Sequence, residues 1–338
     1  MRTTKGNALA LLGMLLGIAI VSPAWAQTAP VKLTANITKA QSDFAAQAMQ
    51  MFAERAAQYS NKQVTVEVHV GGSLGYKAVD GLRILDSRLV DISETVGAFD
   101  GAYIPDVMIT TLPFFLTSFD DFALFDRMFR EHLNKEYAKK NAKCLMSYTN
   151  TLQHYFNKKA INKLADLAGV KMRSYDKVTS DMLVAVGAAP VRVDFTELYT
   201  ALQEGTVVGT VTSIASVLSV RLNEVLSFAN LTGFGLGGVN CIAINTKAWE
   251  SLSPNHKLAL LTAAQEVEDF LRYRVPELEK QGIEELKAKG MTVNVVSPDV
   301  IAQMRKATEP IRTEFMKTKA SPELVAIVEK YEQIRGLK

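Results

Sequence analysis

The sequence predicts an α/β protein of two lobes joined by crossings of the chain itself. Three observations carry this. The exported part begins strand–helix–strand–helix–strand, the order that builds a largely parallel sheet. The chain's 338 residues suffice for two lobes with a large buried core, and its 48% hydrophobic and 22% charged content is ordinary for a globular protein. No stretch rich in Pro, Gly or Ser separates the lobes. The chain is therefore expected to cross between them more than once, and such crossings make a hinge.

Residues 1–26 stand apart from the fold. Arg2 and Lys5 open a basic start, Ala8 to Val21 is continuously apolar, and Ala24-Trp25-Ala26 forms a small-residue exit before Gln27. This reads as a secretory signal peptide cleaved after Ala26, since the apolar run is short for a membrane span of roughly 20 residues. The leader holds two of the 38 basic residues, which leaves 36 against 35 acidic. That balance excludes the basic stripe of a nucleic-acid binder. Cys144 and Cys241 remain in the exported chain. An oxidising compartment permits a bridge, but both sit in apolar, strand-like runs where buried free thiols are the expected state.

The elements follow in order. Val31, Leu33, Ala35 and Ile37 alternate with polar residues as a strand, and residues 42–60 carry Phe44, Ala48, Met51 and Phe52 at helical spacing. Val64, Val66, Val68 and Val70 line one face of a second strand. After the turn at 71–75, a helix carries Val79, Leu82 and Leu85, and Leu89 to Ser93 follows as a short strand. Ser118 is an N-cap with Asp120 and Asp121 in the first turn of a helix bearing Phe122, Phe125, Phe129 and Leu133. Residues 143–149 form a strand, and Gln153 to Ile161 a crossing. From Leu164 to Thr212 apolar residues gather round Arg173, then a helix and an extended run lead to Phe195. A second helix ends at Gly205 before a strand. Strands are expected at Asn223–Ala229 and Val239–Asn245. Ser-Pro pairs at 253, 297 and 321 start three helices, each with serine as cap and proline as first helical residue. Pro276 is expected to kink or break the first of them, Gly290 ends it, and residues 291–296 supply a last strand.

Chemistry-bearing motifs are few. Gly71-Gly72-Ser73-Leu74-Gly75 matches the nucleophile-elbow pattern with Ser73 as nucleophile. Only two strands precede it, too few for the sheet that carries an elbow, so a strand-to-helix turn is the better reading. Gly233 to Gly238 leads into a strand and lacks the helix start that would hold a pyrophosphate. His69, His132, His154 and His256 are scattered without metal-ligand spacing, and nothing calls for a cofactor. Arg173 carries a planar fork of donors that fits a carboxylate, although Asp166 or Asp176 could pair with it instead.

GGSLG at 71–75 is followed by LRILDSRLVDIS, TTLPFFLTSFDDF, LADLAGVKMRSYD, VGAAPVRVDFTELYTALQEGTVVG and CIAINTKAWESLSPNHKLAL. In this order and spacing the stretches resemble the extracytoplasmic solute-binding proteins of TRAP transporters, the DctP-like type, over nearly the whole exported chain. The resemblance implies a two-lobed periplasmic-binding-protein fold (type II-like) with an inter-lobe cleft. The first lobe would hold residues 27–150 and 238–277, and the second 151–237 and 278–338. It implies a protein that does no chemistry, captures a small organic acid in the periplasm, and docks on a small and a large integral membrane subunit. Arg173 stands where relatives hold the substrate carboxylate, and Phe195 matches an aromatic that packs on the ligand. Thr212 stands where many relatives carry asparagine, and Gln153 where some carry a second arginine. Ser73 and Phe99 would close over the ligand from the other lobe. Val208 replaces a usual aspartate, so Arg173 remains the sole ionic anchor. This favours a monocarboxylate whose remainder is apolar or weakly polar. A secreted hydrolase using Ser73, and a sensory binding protein docking on a receptor, are the competing expectations.

Overall fold

The computed structural model describes residues 29–337; the expected leader and its cleavage site lie outside the described residues. The strands are β1 (Val31–Asn36), β2 (Val64–His69), β3 (Ile92–Val96), β4 (Ala142–Tyr148), β5 (Gln153–Asn157), β6 (Lys171–Ser174), β7 (Ala189–Arg192), β8 (Gly209–Ser213), β9 (Phe228–Leu231), β10 (Asn240–Asn245) and β11 (Thr292–Val295). They form two sheets, in the orders β2-β1-β3-β10-β4 and β11-β9-β5-β8-β6-β7. β1, β2 and β3 are mutually parallel, and β10 runs against β3 and β4. β6, β7 and β8 are likewise parallel, with β5 running against β8 and β9.

Each sheet is covered on both faces, as parallel strands require. Helix Phe44–Tyr59 lays Ala45, Met49, Phe52 and Ala56 into one core of the first sheet. The helix Phe119–Ala138 lays Phe122, Phe125, Phe129 and Leu133 into the other. Ser118 caps that helix as expected, accepting from the Asp121 N–H at 3.0 Å. The second sheet is covered by helix Lys177–Ala185 on one face and by helices Leu198–Gln203 and Ile214–Ser219 on the other.

The chain passes between the sheets after β4, after β9, and along the helix Pro254–Ala288. At 35 residues this helix spans about 52 Å. Its first part, with Leu260, Val267, Leu271 and Val275, packs in the first lobe, and Ile283 and Leu286 pack in the second. Pro276 does not break it. Two acids, Asp126 and Glu268, and two arginines, Arg130 and Arg272, lock it to β4 and to helix Phe119–Ala138. Residues 278–338, expected in the second lobe, divide their packing. Val296, Val300 and Met304 lie in the second lobe's core, whereas Phe315, Leu324, Val328 and Tyr331 join Phe115 and Phe125 in the first.

Other departures have simple causes. Gln153–Asn157, expected only as part of a crossing, is a central strand; all five residues are buried, so no alternation showed. The third strand begins at Ile92, after bends at 89–91, and the ninth at Phe228, after the one-turn segment Leu222–Glu224. Cys144 and Cys241 are bridged, with Cα atoms 5.6 Å apart. β4 and β10 are neighbours, and a register shift between Ile242 and Ala243 adjusts their alignment. A separation of 97 residues hid that pairing.

Candidate functional site

Parallel strands of an α/β sheet present their C-terminal ends to ligands. In the second lobe β6, β7 and β8 end at one edge, and antiparallel β5 begins there. In the first lobe β1, β2 and β3 end at the loops around Lys39, Gly71–Gly75 and Phe99. Two contacts join these edges. Lys77 meets Asp194 at 3.2 Å, and the Lys39 Nζ lies 5.6 Å from the centre of the Phe195 ring. The cleft lies between them.

Arg173 is 3% exposed. Its Nε donates to the Val193 carbonyl at 3.0 Å, and its guanidinium lies 5.2 Å from the Tyr175 ring centre. The two acids that might have paired with it are engaged elsewhere. Asp166 accepts from the N–H groups of Asn162 and Lys163, and Asp176 caps helix Lys177–Ala185 through the Thr179 N–H at 2.7 Å. Among the described residues Arg173 forms no ion pair. Burial pushes its pKa down to about 10, against the pull of Tyr175, Asp176 and Asp194, so it stays charged at neutral pH.

Register sorts the other expected residues. Residues directly paired across a sheet share a face. Arg173 pairs with Thr210 in β8, so Arg173, Thr210 and Thr212 lie on one face. Gln153 pairs with Ser213 and lies on the other. A Cβ on Gly237 would sit 3.0 Å from the Gln153 Nε2, so this amide packs on the second crossing. Phe195 is half-buried beneath Lys39. Phe99 is half-buried in the short helix Gly97–Asp100 that follows β3. Ser73 is exposed in a turn whose flanking Gly72 and Gly75 have φ of +72° and +80°. Such a turn needs glycine, and no histidine or acid is hydrogen-bonded to the Ser73 hydroxyl among the described residues.

Two residues at the cleft escaped the sequence reading. Lys39 is held by its own carbonyl, which accepts from the Gly71 N–H at 2.8 Å. Burial and Arg173 push its ammonium down, Glu94 and Asp43 push it up, and the acids prevail. Glu94, 4% exposed, accepts a hydrogen bond from the Tyr148 hydroxyl. Burial pushes its carboxyl up while Lys39 pulls it back. A lysine three residues beyond a parallel strand, and an acid within a buried one, were the available signals. A cavity of about 240 Å³ lies elsewhere, beside the first crossing, lined by Phe119, Arg127, Thr149, Arg272 and Pro276, and holds neither Arg173 nor Lys39.

Two sheets of this topology, three passages of chain and a cleft at the strand ends define a two-lobed solute-binding protein. The chain belongs to the family described as bacterial extracellular solute-binding protein, family 7, whose model matches residues 35–319. It is 25% identical over 286 residues to the C4-dicarboxylate-binding periplasmic protein DctP of Rhodobacter capsulatus, covering 82% of this chain and 84% of that protein. Among solved structures, it resembles a marine metagenome TRAP solute-binding protein specific for pyroglutamate, with TM-score 0.85 and 24% identity over 90% of this chain and all of the other. It also resembles a TRAP periplasmic solute-binding protein from Polaromonas bound to D-erythronate, with TM-score 0.80 and 25% identity over 88% and 98%. The protein is thus a TRAP-type solute-binding protein and not an enzyme, which removes the hydrolase reading of Ser73. No helix of the described residues is long and apolar enough to cross a membrane.

Proposed function

We propose that this protein captures a small monocarboxylate in the cleft by domain closure, in the periplasm after cleavage behind Ala26, and delivers it to the two membrane subunits of a TRAP transporter. One observation carries the reading. Arg173 is a buried, charged fork at the cleft end of β6 that forms no ion pair among the described residues. A charge so placed asks for an anion, and a carboxylate matches its geometry. The names of the relatives agree in kind: a C4-dicarboxylate and D-erythronate are both organic acids. Phe195 and Thr212 flank the ligand in the second lobe, and Ser73 and Phe99 stand on the rim that closes from the first. Gln153 supports the site through Gly237. Closure expels water, which strengthens the ion pair.

Mass spectrometry of denatured, freshly purified protein, followed by a thermal-shift panel of carboxylates, tests this. A carboxylate is expected to bind, and Arg173→Ala to lose roughly 2–5 kcal/mol of its affinity. Unchanged affinity in Arg173→Ala refutes the anchor.

A further inference from the structure

Lys39 sits at the meeting point of the two lobes. It follows β1 by three residues, and the hydrogen bond from Gly71 ties its backbone to the turn after β2. Its ammonium reaches across the cleft to the Phe195 ring at 5.6 Å. Phe195 itself is carried by the turn that follows β7, and β7 pairs with β6 such that Arg173 faces Val191. Lys39 and Arg173 therefore approach the same space from opposite lobes.

We propose that Lys39 is a second ligand contact, contributed by the first lobe, which takes a hydroxyl or oxo oxygen of the monocarboxylate held by Arg173. This rests on the carboxylate reading of Arg173. Charge at the cleft supports it. Lys77 and Asp194 answer each other in an ion pair. Lys39 has Asp43 and Glu94 of its own lobe beside it, whereas Arg173 feels Asp176 and Asp194 but forms no ion pair among the described residues. Its fork of donors suits one carboxylate. A second carboxylate at Lys39 would face Glu94, whereas a neutral oxygen accepts from the ammonium without that repulsion. The ligand class is then a hydroxy or oxo acid, which narrows the apolar or weakly polar remainder expected from the sequence.

The test is isothermal titration of the wild type, Lys39→Met and Lys39→Arg with butyrate, 2-oxobutyrate, D-erythronate and succinate, extended to the same pairings at three to six carbons. Circular dichroism and melting curves establish that each variant folds. Lys39→Met is expected to lose about tenfold or more in affinity for the oxygenated monocarboxylates and under about threefold for their bare counterparts, with Lys39→Arg in between. Equal loss on both members of a pair, or none, overturns the proposal. So does a wild type that prefers the dicarboxylate and loses that preference in Lys39→Met. If Arg173→Ala abolishes binding and Lys39→Met does not discriminate, the anchor stands and Lys39 falls. If no carboxylate binds the wild type, both fall.

Discussion

At the scale of single residues, the first lobe stores unusual acids behind the cleft. Asp100 is 2% exposed and accepts a hydrogen bond from the Tyr137 hydroxyl at 2.8 Å. Burial raises its carboxyl from 3.8 to about 7, with Tyr137 opposing and Glu94 adding to the rise. In the unfolded chain the same group ionises near its ordinary value. Between about pH 4 and 7 folding therefore takes up a proton, and Asp100 makes the native state less stable as pH rises through that window. Asp100→Asn keeps the acceptor for Tyr137 and removes the proton linkage. Its melting temperature should exceed that of the wild type by little at pH 4 and by most above pH 7; an equal gain at both would refute the assignment. The residues show how far a sequence can be read. Arg173 and Phe195 could be put forward from the sequence because they lie in stretches that resemble the DctP-like family, and the structure places both at the strand ends facing the other lobe. Lys39 and Glu94 were not, since their partners lie in other strands: Glu94 meets Tyr148, 54 residues away.

At the scale of elements, the crossings are pinned together. His154 in β5 accepts the N–H groups of Thr232 and Gly233, both at 3.0 Å, on its Nδ1, and its Nε2 meets Glu279 of the long helix at 2.9 Å. The Leu152 N–H donates to the other oxygen of Glu279. One imidazole thereby joins all three passages between the lobes, with its proton fixed on Nε2. The bridge Cys144–Cys241 adds a covalent tie across β4 and β10, where the first passage leaves the first sheet and the second re-enters it. Closing a loop of this length stabilises by about 4–5 kcal/mol on the chain-entropy account. The double variant Cys144→Ser, Cys241→Ser should lose stability of that order in urea denaturation and keep its ligand affinity, because neither sulfur reaches the cleft. Amphipathic helices and alternating strands were predicted well, for a half-exposed element shows its period. β5 was missed because both of its faces are covered.

At the scale of the whole molecule, the two-lobed plan was readable from element order and from the want of a linker. The path of the last helices was not, because Phe315 and Tyr331 reach the first lobe's core through contacts distant in sequence. The lobes meet through few bonds. Lys77 and Asp194 are 69% and 49% exposed, so their pair is well screened. Lys77→Ala should therefore change ligand affinity by less than about 1 kcal/mol, measured by titration; a larger loss would make this pair, and not the cleft, the seat of closure. What resists motion is instead the helix Pro254–Ala288. It is anchored in the first lobe up to Val275 and in the second from Ile283, with Pro276 between. Proline has no N–H to offer the carbonyl four residues earlier, so the rod is softest where the two anchors meet. Such a helix is a flexure. On the closure proposed above, hinging the lobes bends it, and the work of bending is subtracted from the free energy of capture and returned on release. On that proposal, ligand affinity and the speed of unloading share one mechanical constant, the stiffness of the turn around Pro276.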